Sequence, residues 1–252
     1  EPARLVKCET NDLEVPADAE IIIEGEICPD YKVEEGPFGE YTGYRTSPRD
    51  FRVTFRVNCI TYRNNATMTI SNMGVPQDEG QLLRSFSLGL ELEKLLKSQG
   101  IPITGVYMHP RSTHHMMIVG VKPTYSGIAS QIAQLAFGSK LGPWFHMVVV
   151  VDDKTDIYNW NEVYHALCTR CHPANGIHIY KNTTGTPLYP FATPHERKHS
   201  IGSKVLFDCL WPLEWDPVNE VPTTVSFKSV YSQEIQDRVT SNWTAYGYPP
   251  VK

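Results

Sequence analysis

The chain has 252 residues, of which 41% are apolar and 20% charged, with a formal net charge of −5. That length holds one large domain or two small ones around a real core, and the acidic balance argues against a nucleic-acid surface. The longest apolar run, residues 147–151, is far too short for a bilayer and suits a buried strand. The start Glu1-Pro2-Ala3-Arg4 lacks the basic-then-apolar pattern of a signal peptide. Six cysteines are too sparse for a disulfide framework in a chain of this size, so reduced thiols and a cytoplasmic setting are expected. Asn-X-Ser/Thr triplets at Asn65, Asn182 and Asn242 oppose that only weakly, because such triplets arise by chance.

In chain order, residues 1–17 are polar and extended and lead into a strand over residues 20–27. A Gly- and Pro-bearing loop occupies residues 34–44. Residues 51–57 alternate apolar and polar, the period of a half-buried strand, and residues 58–62 continue it. Arg63, Asn64 and Asn65 supply turn chemistry, so residues 66–70 are expected to return as a second strand. Near residue 77 the pattern changes. Asp78 can cap a helix whose Leu88, Leu92, Leu95 and Leu96 keep the helical period. Leu82, Leu83, Phe86 and Leu90 form a second apolar set, so burial on more than one side is expected, and Gly100 marks the stop. Strands follow at Ile103–Met108 and Met116–Val121, then a helix over residues 127–136, a strand over 147–153 and a helix over 160–167. Beyond Thr183 regular structure is expected to be thin, apart from a short helix over residues 233–242. The boundary near residue 77 separates a β segment from an alternating α/β segment.

The stretch Glu35-Gly36-Pro37-Phe38-Gly39-Glu40-Tyr41-Thr42-Gly43-Tyr44 carries the most chemical information. Glycines let the backbone take positive φ and approach a ligand closely. Of two carboxylates in one tight loop, one can accept a proton while the other, desolvated beside a like charge, keeps one to donate; Phe38 and Tyr41 are candidates for the dry wall. The plain alternative is a solvated acidic loop. Cys168, Cys171 and His172 offer up to three zinc ligands, but no second cysteine pair follows at suitable spacing. The run 194–199 reads as a solvated charged loop.

The acidic loop resembles the signature loop of UbiD-type decarboxylases, including ferulic acid decarboxylases. Further blocks agree in order: residues 58–66, residues 140–146 ahead of a Val-rich strand ending Asp152-Asp153, Thr169-Arg170-Cys171-His172-Pro173, Gly185-Thr186-Pro187-Leu188, and residues 204–208. The resemblance implies removal of CO2 from an aromatic or α,β-unsaturated carboxylic acid on prenylated FMN. It implies an α+β fold: residues 1–77 the C-terminal part of a split β-barrel flavin-binding domain, residues 78–252 an α/β domain that builds a homodimer or higher homo-oligomer. By position, Glu40 becomes the acid/base and Glu35 part of a carboxylate–arginine–carboxylate network. Lys140 falls where the family contacts its flavin, or is simply a surface charge. Tyr41, His115, Trp144, Thr186 and Leu188 fall in the substrate pocket. Thr186 stands where ferulic acid decarboxylases carry phenylalanine, which makes a cinnamic-type substrate doubtful. His115 suits a ring hydroxyl or ring nitrogen, or is a packed structural histidine. Mn2+ and K+ are implied with ligands upstream of this chain, so no metal ligand is assigned here. No nucleic acid or membrane partner is expected. The competing reading, from a different class, is a non-catalytic α+β assembly module.

Overall fold

A computed structural model describes residues 2–250. Strands β1 (Leu5–Lys7) and β2 (Glu14–Pro16) form a small antiparallel pair. The chain then enters a long antiparallel ribbon of β3 (Ile21–Glu35) and β4 (Asp50–Tyr62). Glu24, 5% exposed, ties the two pairs together. Its carboxylate accepts from the Glu9 and Thr10 amides at 2.9 and 2.8 Å and from the Thr10 hydroxyl at 2.6 Å. These bonds hold the carboxyl below its usual range. The ribbon bends where its register shifts, between Glu24 and Gly25 and between Cys28 and Lys32. At the first shift a Cβ on Gly25 would run into the Arg56 carbonyl, so the backbones approach too closely for a side chain.

The alternation in residues 51–57 does mark a strand, but its partner is upstream. Residues 66–70 form no strand, and Met68 and Ile70 are 71% and 75% exposed. The long strand β3 already occupies β4 along its whole length, from Ile21 against Tyr62 to Glu35 against Asp50. The ribbon is open: no barrel closes among the described residues.

Helix α1 (Glu79–Ser98) starts at a capping box in which Asp78 and Gln81 satisfy each other's amides. It buries Gln81, Ser85, Leu88, Gly89, Leu92 and Leu96. The second apolar set points outward instead, with Leu83 and Phe86 68% and 67% exposed. One helix face suffices to cover the sheet, so the expectation of burial on two sides fails. Gly100, at φ +73°, follows the C-cap Gln99.

The α/β layer continues through β5 (Ile103–Met108), β6 (Met116–Val121), α2 (Ile128–Gly138), β7 (Met147–Asp152), α3 (Trp160–Thr169), β8 (Ile177–Thr184), α4 (Pro194–His199) and β9 (Ile201–Asp208). The sheet order is β5-β6-β7-β9-β8, with β6, β7 and β9 mutually parallel and the two edge strands antiparallel to their neighbours. Strand β7 shows why the centre is dry. Val148 and Val150 face the cluster of Leu92, Leu96, Ile132 and Ala136 from α1 and α2, while Val149 and Val151 face Val163 and Ala166 from α3. A strand covered on both faces reads as a continuous apolar run.

Besides β1 and β2, two strands of this layer escape the sequence reading, β8 and β9. In β8 the exposed edge residues Ile177 and Ile179 alternate with polar ones, and in β9 a short apolar run adjoins a buried lysine, Lys204. A second compact unit comprises residues 124–126 and 211–252. It holds α5 (Phe227–Val230) and α6 (Gln233–Ser241), the latter close to expectation. Within it Trp243 stacks on Tyr248 at 4.6 Å and donates to the Pro249 carbonyl at 2.9 Å.

Candidate active site

Residues 36–46 leave β3 as a loop that the layer holds at several points. Gly36 and Gly43 lie at φ +86° and +82°, backbone that favours glycine. The Glu40 amide donates to the Tyr44 carbonyl at 3.0 Å and the Gly43 amide to the Glu40 carbonyl at 2.9 Å, so residues 40–44 close a tight turn. Gln81, at the start of α1, donates to the Tyr41 carbonyl at 2.6 Å. Arg197 of α4 donates to the Thr46 carbonyl at 2.9 Å and to the Pro187 and Pro190 carbonyls at 2.7 and 3.1 Å. One arginine therefore fixes the end of the acidic loop and the 186–192 loop together. The expectation of a merely solvated 194–199 segment misses this: Arg197 is half-buried.

The ring of Tyr41, 5% exposed, stacks on His114 at 4.7 Å and meets His115 edge-on at 5.7 Å. His115 in turn contacts His146 and Tyr189, each at 5.1 Å. The tight connection after β5 places His114 at φ 53° and delivers both histidines to the start of β6. The His146 and Met147 amides donate to the His115 carbonyl at 3.2 and 3.1 Å, so adjoining parallel strands set these side chains beside each other. Arg84, one turn beyond Gln81 on α1, lies over the Tyr41 ring at 5.3 Å and over Trp144 at 5.0 Å. Thr186, 8% exposed, accepts from the Leu188 amide at 3.3 Å.

Burial keeps the histidines and Tyr41 of this cluster uncharged. It pushes His114 and His115 down to about 3; Arg84 adds to the effect on His114, and His146 and His114 add to that on His115. His146 falls to about 4, through burial and then Lys204. The Tyr41 phenol is pushed up to about 12 by burial, with Thr186 and Arg84 pulling it back and the Glu40 charge raising it further. Several polar atoms here are buried without a hydrogen-bond partner: Tyr41 Oη, both ring nitrogens of His114, and His115 Nε2. His115 Nδ1 does pair with Thr113 Oγ1 at 3.0 Å.

Beneath the site, Lys204 of β9 is 2% exposed. It donates to the Gly142 carbonyl and, at 3.0 Å, to the Phe145 carbonyl, stapling the turn that carries Trp144. Burial lowers its amine to about 8.

The structure thus brings Tyr41, His115 and Thr186 into one cluster, and Arg84 links Trp144 to it. Leu188 is half-buried beside Thr186 on the same loop. Glu40 is half-buried next to Tyr41, whereas Glu35 is exposed at the end of β3. Phe38 is 56% exposed and is no dry wall in this chain; the tight turn closes from Glu40 onward and leaves it outside. Lys140 is exposed in a separate open groove of about 560 Å3, shared with Phe137, Ser139, Tyr180 and Thr183. Pro143 joins the two places, since it lines that groove and its carbonyl accepts from Tyr189 Oη at 2.8 Å. Sequence reasoning missed Arg84, His114, His146, Tyr189 and Lys204 as members of the cluster. For Arg84 a signal existed, because it shares the helix face of the buried Gln81 and Leu88. Among the described residues no group of three or more His, Cys, Asp and Glu is arranged to hold a metal ion. No helix there is long and apolar enough to cross a membrane.

Comparison with known proteins decides the family. The model of the 3-octaprenyl-4-hydroxybenzoate carboxy-lyase C-terminal domain matches residues 81–209, and that of the carboxy-lyase Rift-related domain matches residues 1–76. The chain belongs to the UbiD family. Among curated UbiD relatives it is 30% identical to ferulic acid decarboxylase 1 of Saccharomyces cerevisiae, over 98% of this chain and 51% of the relative. It is 25% identical to pyrrole-2-carboxylic acid decarboxylase of Pseudomonas aeruginosa, over the same shares. The chain therefore spans about half the length of the curated relatives it matches. Of solved structures, it resembles vanillic acid decarboxylase of Sedimentibacter hydroxybenzoicus in its closed form, at 27% identity and a TM-score of 0.79, covering 95% of this chain and 49% of that one. The UbiD-class enzyme HmfF of Pelotomaculum thermopropionicum in complex with FMN matches at 29% identity and a TM-score of 0.76, covering 89% and 48%.

Proposed function

We propose that this chain carries the proton-donating side of a prenylated-FMN-dependent decarboxylase that acts reversibly on an aromatic or α,β-unsaturated carboxylic acid, with Glu40 as the acid/base. The observation that carries this is the setting of Glu40: half-buried on a turn pinned by Gln81 and Arg197, beside a cluster of neutral histidines and a high-pKa tyrosine. A carboxyl group on a backbone so held can keep its reach to one carbon. The residues present fit an aromatic acid beside a flavin, because His115 Nε2 and both His114 ring nitrogens are buried polar atoms still lacking partners.

When bound, prenylated FMN supplies the electron sink for the pair released as CO2 departs. Glu40 then gives its proton to the carbon that lost the carboxylate, and takes one back in the reverse direction. Glu35 would support the carboxylate–arginine–carboxylate network, and Lys140 would contact the flavin. Tyr41, Trp144, Thr186 and Leu188 line the substrate pocket. Neutral His115 offers a ring nitrogen to a hydroxyl or heteroatom of the substrate. In this reading residues 1–77 belong to a split β-barrel that binds the flavin, with Mn2+ and K+ at its phosphate. Residues 78–252 form the domain that associates as a homodimer or higher homo-oligomer. The six free cysteines suit a cytoplasmic protein.

The test is Glu40→Gln in the intact natural protein loaded with flavin. Turnover should fall by about 10²- to 10⁴-fold with association unchanged, measured as CO2 release and by sedimentation. Undiminished turnover would leave the assembly module as the better reading.

A further inference from the structure

Helix α4 carries two histidines one turn apart in the run His195-Glu196-Arg197-Lys198-His199. Residues four apart share one helix face. Both side chains are exposed, yet their rings lie 4.3 Å apart, centre to centre, at an angle of 39°. The His199 ring is also held in orientation, with Nδ1 2.9 Å from the His195 carbonyl oxygen. A carbonyl oxygen only accepts, so Nδ1 carries the hydrogen and the neutral ring keeps its lone pair on Nε2. Histidines that ligate metals are commonly oriented by such a bond from the far ring nitrogen. Glu196 is spent elsewhere, since its carboxylate accepts from the Thr193 amide at 2.7 Å in the capping box of α4.

We propose that His195 and His199 form a two-histidine site on α4 for a divalent transition ion such as Zn2+, with water filling the ion's remaining positions. Imidazole nitrogens suit Zn2+, Cu2+ and Ni2+, whereas Mg2+ and Ca2+ take oxygen ligands. Two Zn–N bonds of about 2.0–2.1 Å set their nitrogens about 3.4 Å apart at a tetrahedral ion. Rings already this close reach that spacing by rotation of the side chains alone. The same run is the pattern of zinc peptidases, in which the glutamate acts as a general base. Here the glutamate caps the helix, and no third His, Cys, Asp or Glu joins the pair among the described residues. The site therefore holds an ion and does not hydrolyse. An ion across the pair links the first turn of α4 to its last residue. Between them lies Arg197, which holds the Thr46, Pro187 and Pro190 carbonyls, so the ion braces the clamp on the acidic loop. The site stands whether or not the chain decarboxylates.

The test titrates the intact natural protein, freed of loosely held metal by a chelator, with ZnCl2 and separately with MgCl2 in a calorimeter. Zinc should bind and magnesium should leave α4 untouched. His195→Ala and His199→Ala should each weaken the zinc isotherm by roughly 10²-fold, because each removes the tethered second ligand. Both positions are exposed, so the substitutions spare the core. Binding should fade in acid, since a protonated imidazole cannot ligate. Zinc should also slow hydrogen exchange at the Arg197 and Ser200 amides, which close the turns of α4 on Thr193 and Glu196, in the wild type and in neither histidine variant. Absence of zinc binding, or an isotherm indifferent to both histidine substitutions, overturns the proposal. So does unchanged exchange on α4, and so does an isotherm abolished by Cys168→Ser, which would move the ion to the Cys168, Cys171 and His172 segment.

Discussion

Strands β4 and β7 are built from similar residues and meet opposite fates. In β4, Phe51, Val53, Phe55 and Val57 are 60%, 51%, 47% and 48% exposed. In β7, Val148, Val149, Val150 and Val151 are each 0% exposed. Apolar content alone does not bury a strand; layers on its faces do. The ribbon has one partner strand and no covering helix among the described residues, whereas β7 lies between β6 and β9 with helices on both faces. The stability of this chain should accordingly reside in the layer, and the candidate site should draw its rigidity from there.

The largest effect that sharpens this contrast is acid sensitivity centred on the layer's histidines. His114, His115 and His146 have folded pKa values of about 3, 3 and 4, against an ordinary 6.5. As pH falls through 6.5 the unfolded chain takes up these protons first, so the folded state loses ground until its own values are reached. Stability is thus full above pH 6.5 and declines as pH falls toward 3 to 4, by on the order of 3 kcal/mol for each histidine. Urea unfolding between pH 7 and 4 reads the slope, and His114→Phe should remove about one proton from it. A stability that stays flat over this range would show that the cluster hydrates or opens readily.

The next effect compares cavities. Leu92 is 0% exposed between α1 and the sheet, so Leu92→Ala should cost about 2–5 kcal/mol. Ile23 in the ribbon is 56% exposed, and Ile23→Ala should change stability by no more than about 0.5 kcal/mol. Equal losses in denaturant midpoint would break the contrast drawn above.

Much of the layer was legible in the sequence because its signals are local. Asp78 announces the start of α1, and the bounds of β5 and β6 coincide with those read from apolar periodicity. Strand β9 was not legible, since its central place depends on pairing with β7 and β8 and on burying Lys204 over the rings of Phe137 and Phe145. The missing hairpin at residues 66–70 has the same origin: a turn signal names a bend, but the choice of partner strand is non-local. The acidic loop stood out through its glycines and carboxylates. What surrounds it did not, because Arg84, His146 and Tyr189 come from three separate parts of the chain and only packing unites them. Phe38 shows the converse, an aromatic residue beside a carboxylate in sequence that contributes no burial in space.

The smallest expected effect lies in the ribbon's cross-strand ion pair. Arg56 meets Glu26 at 2.5 Å, but the two side chains are 66% and 62% exposed. Water screens such a pair, and ordering two long side chains offsets much of the attraction, so Arg56→Ala should cost about 0–1 kcal/mol and less in high salt. The layer offers a control in Arg170 and Asp152, 2.8 Å apart and only 14% and 13% exposed, where Asp152 also accepts from Thr155 at 2.7 Å. Breaking that pair by Arg170→Met should cost about 3 kcal/mol or more, because a carboxylate stays behind in a nearly dry place. Measured side by side at low and high salt, the ribbon variant should shift with ionic strength and the layer variant should not. A ribbon loss as large and as salt-insensitive as the layer's would mean that β3 and β4 are held far more firmly than their exposure implies.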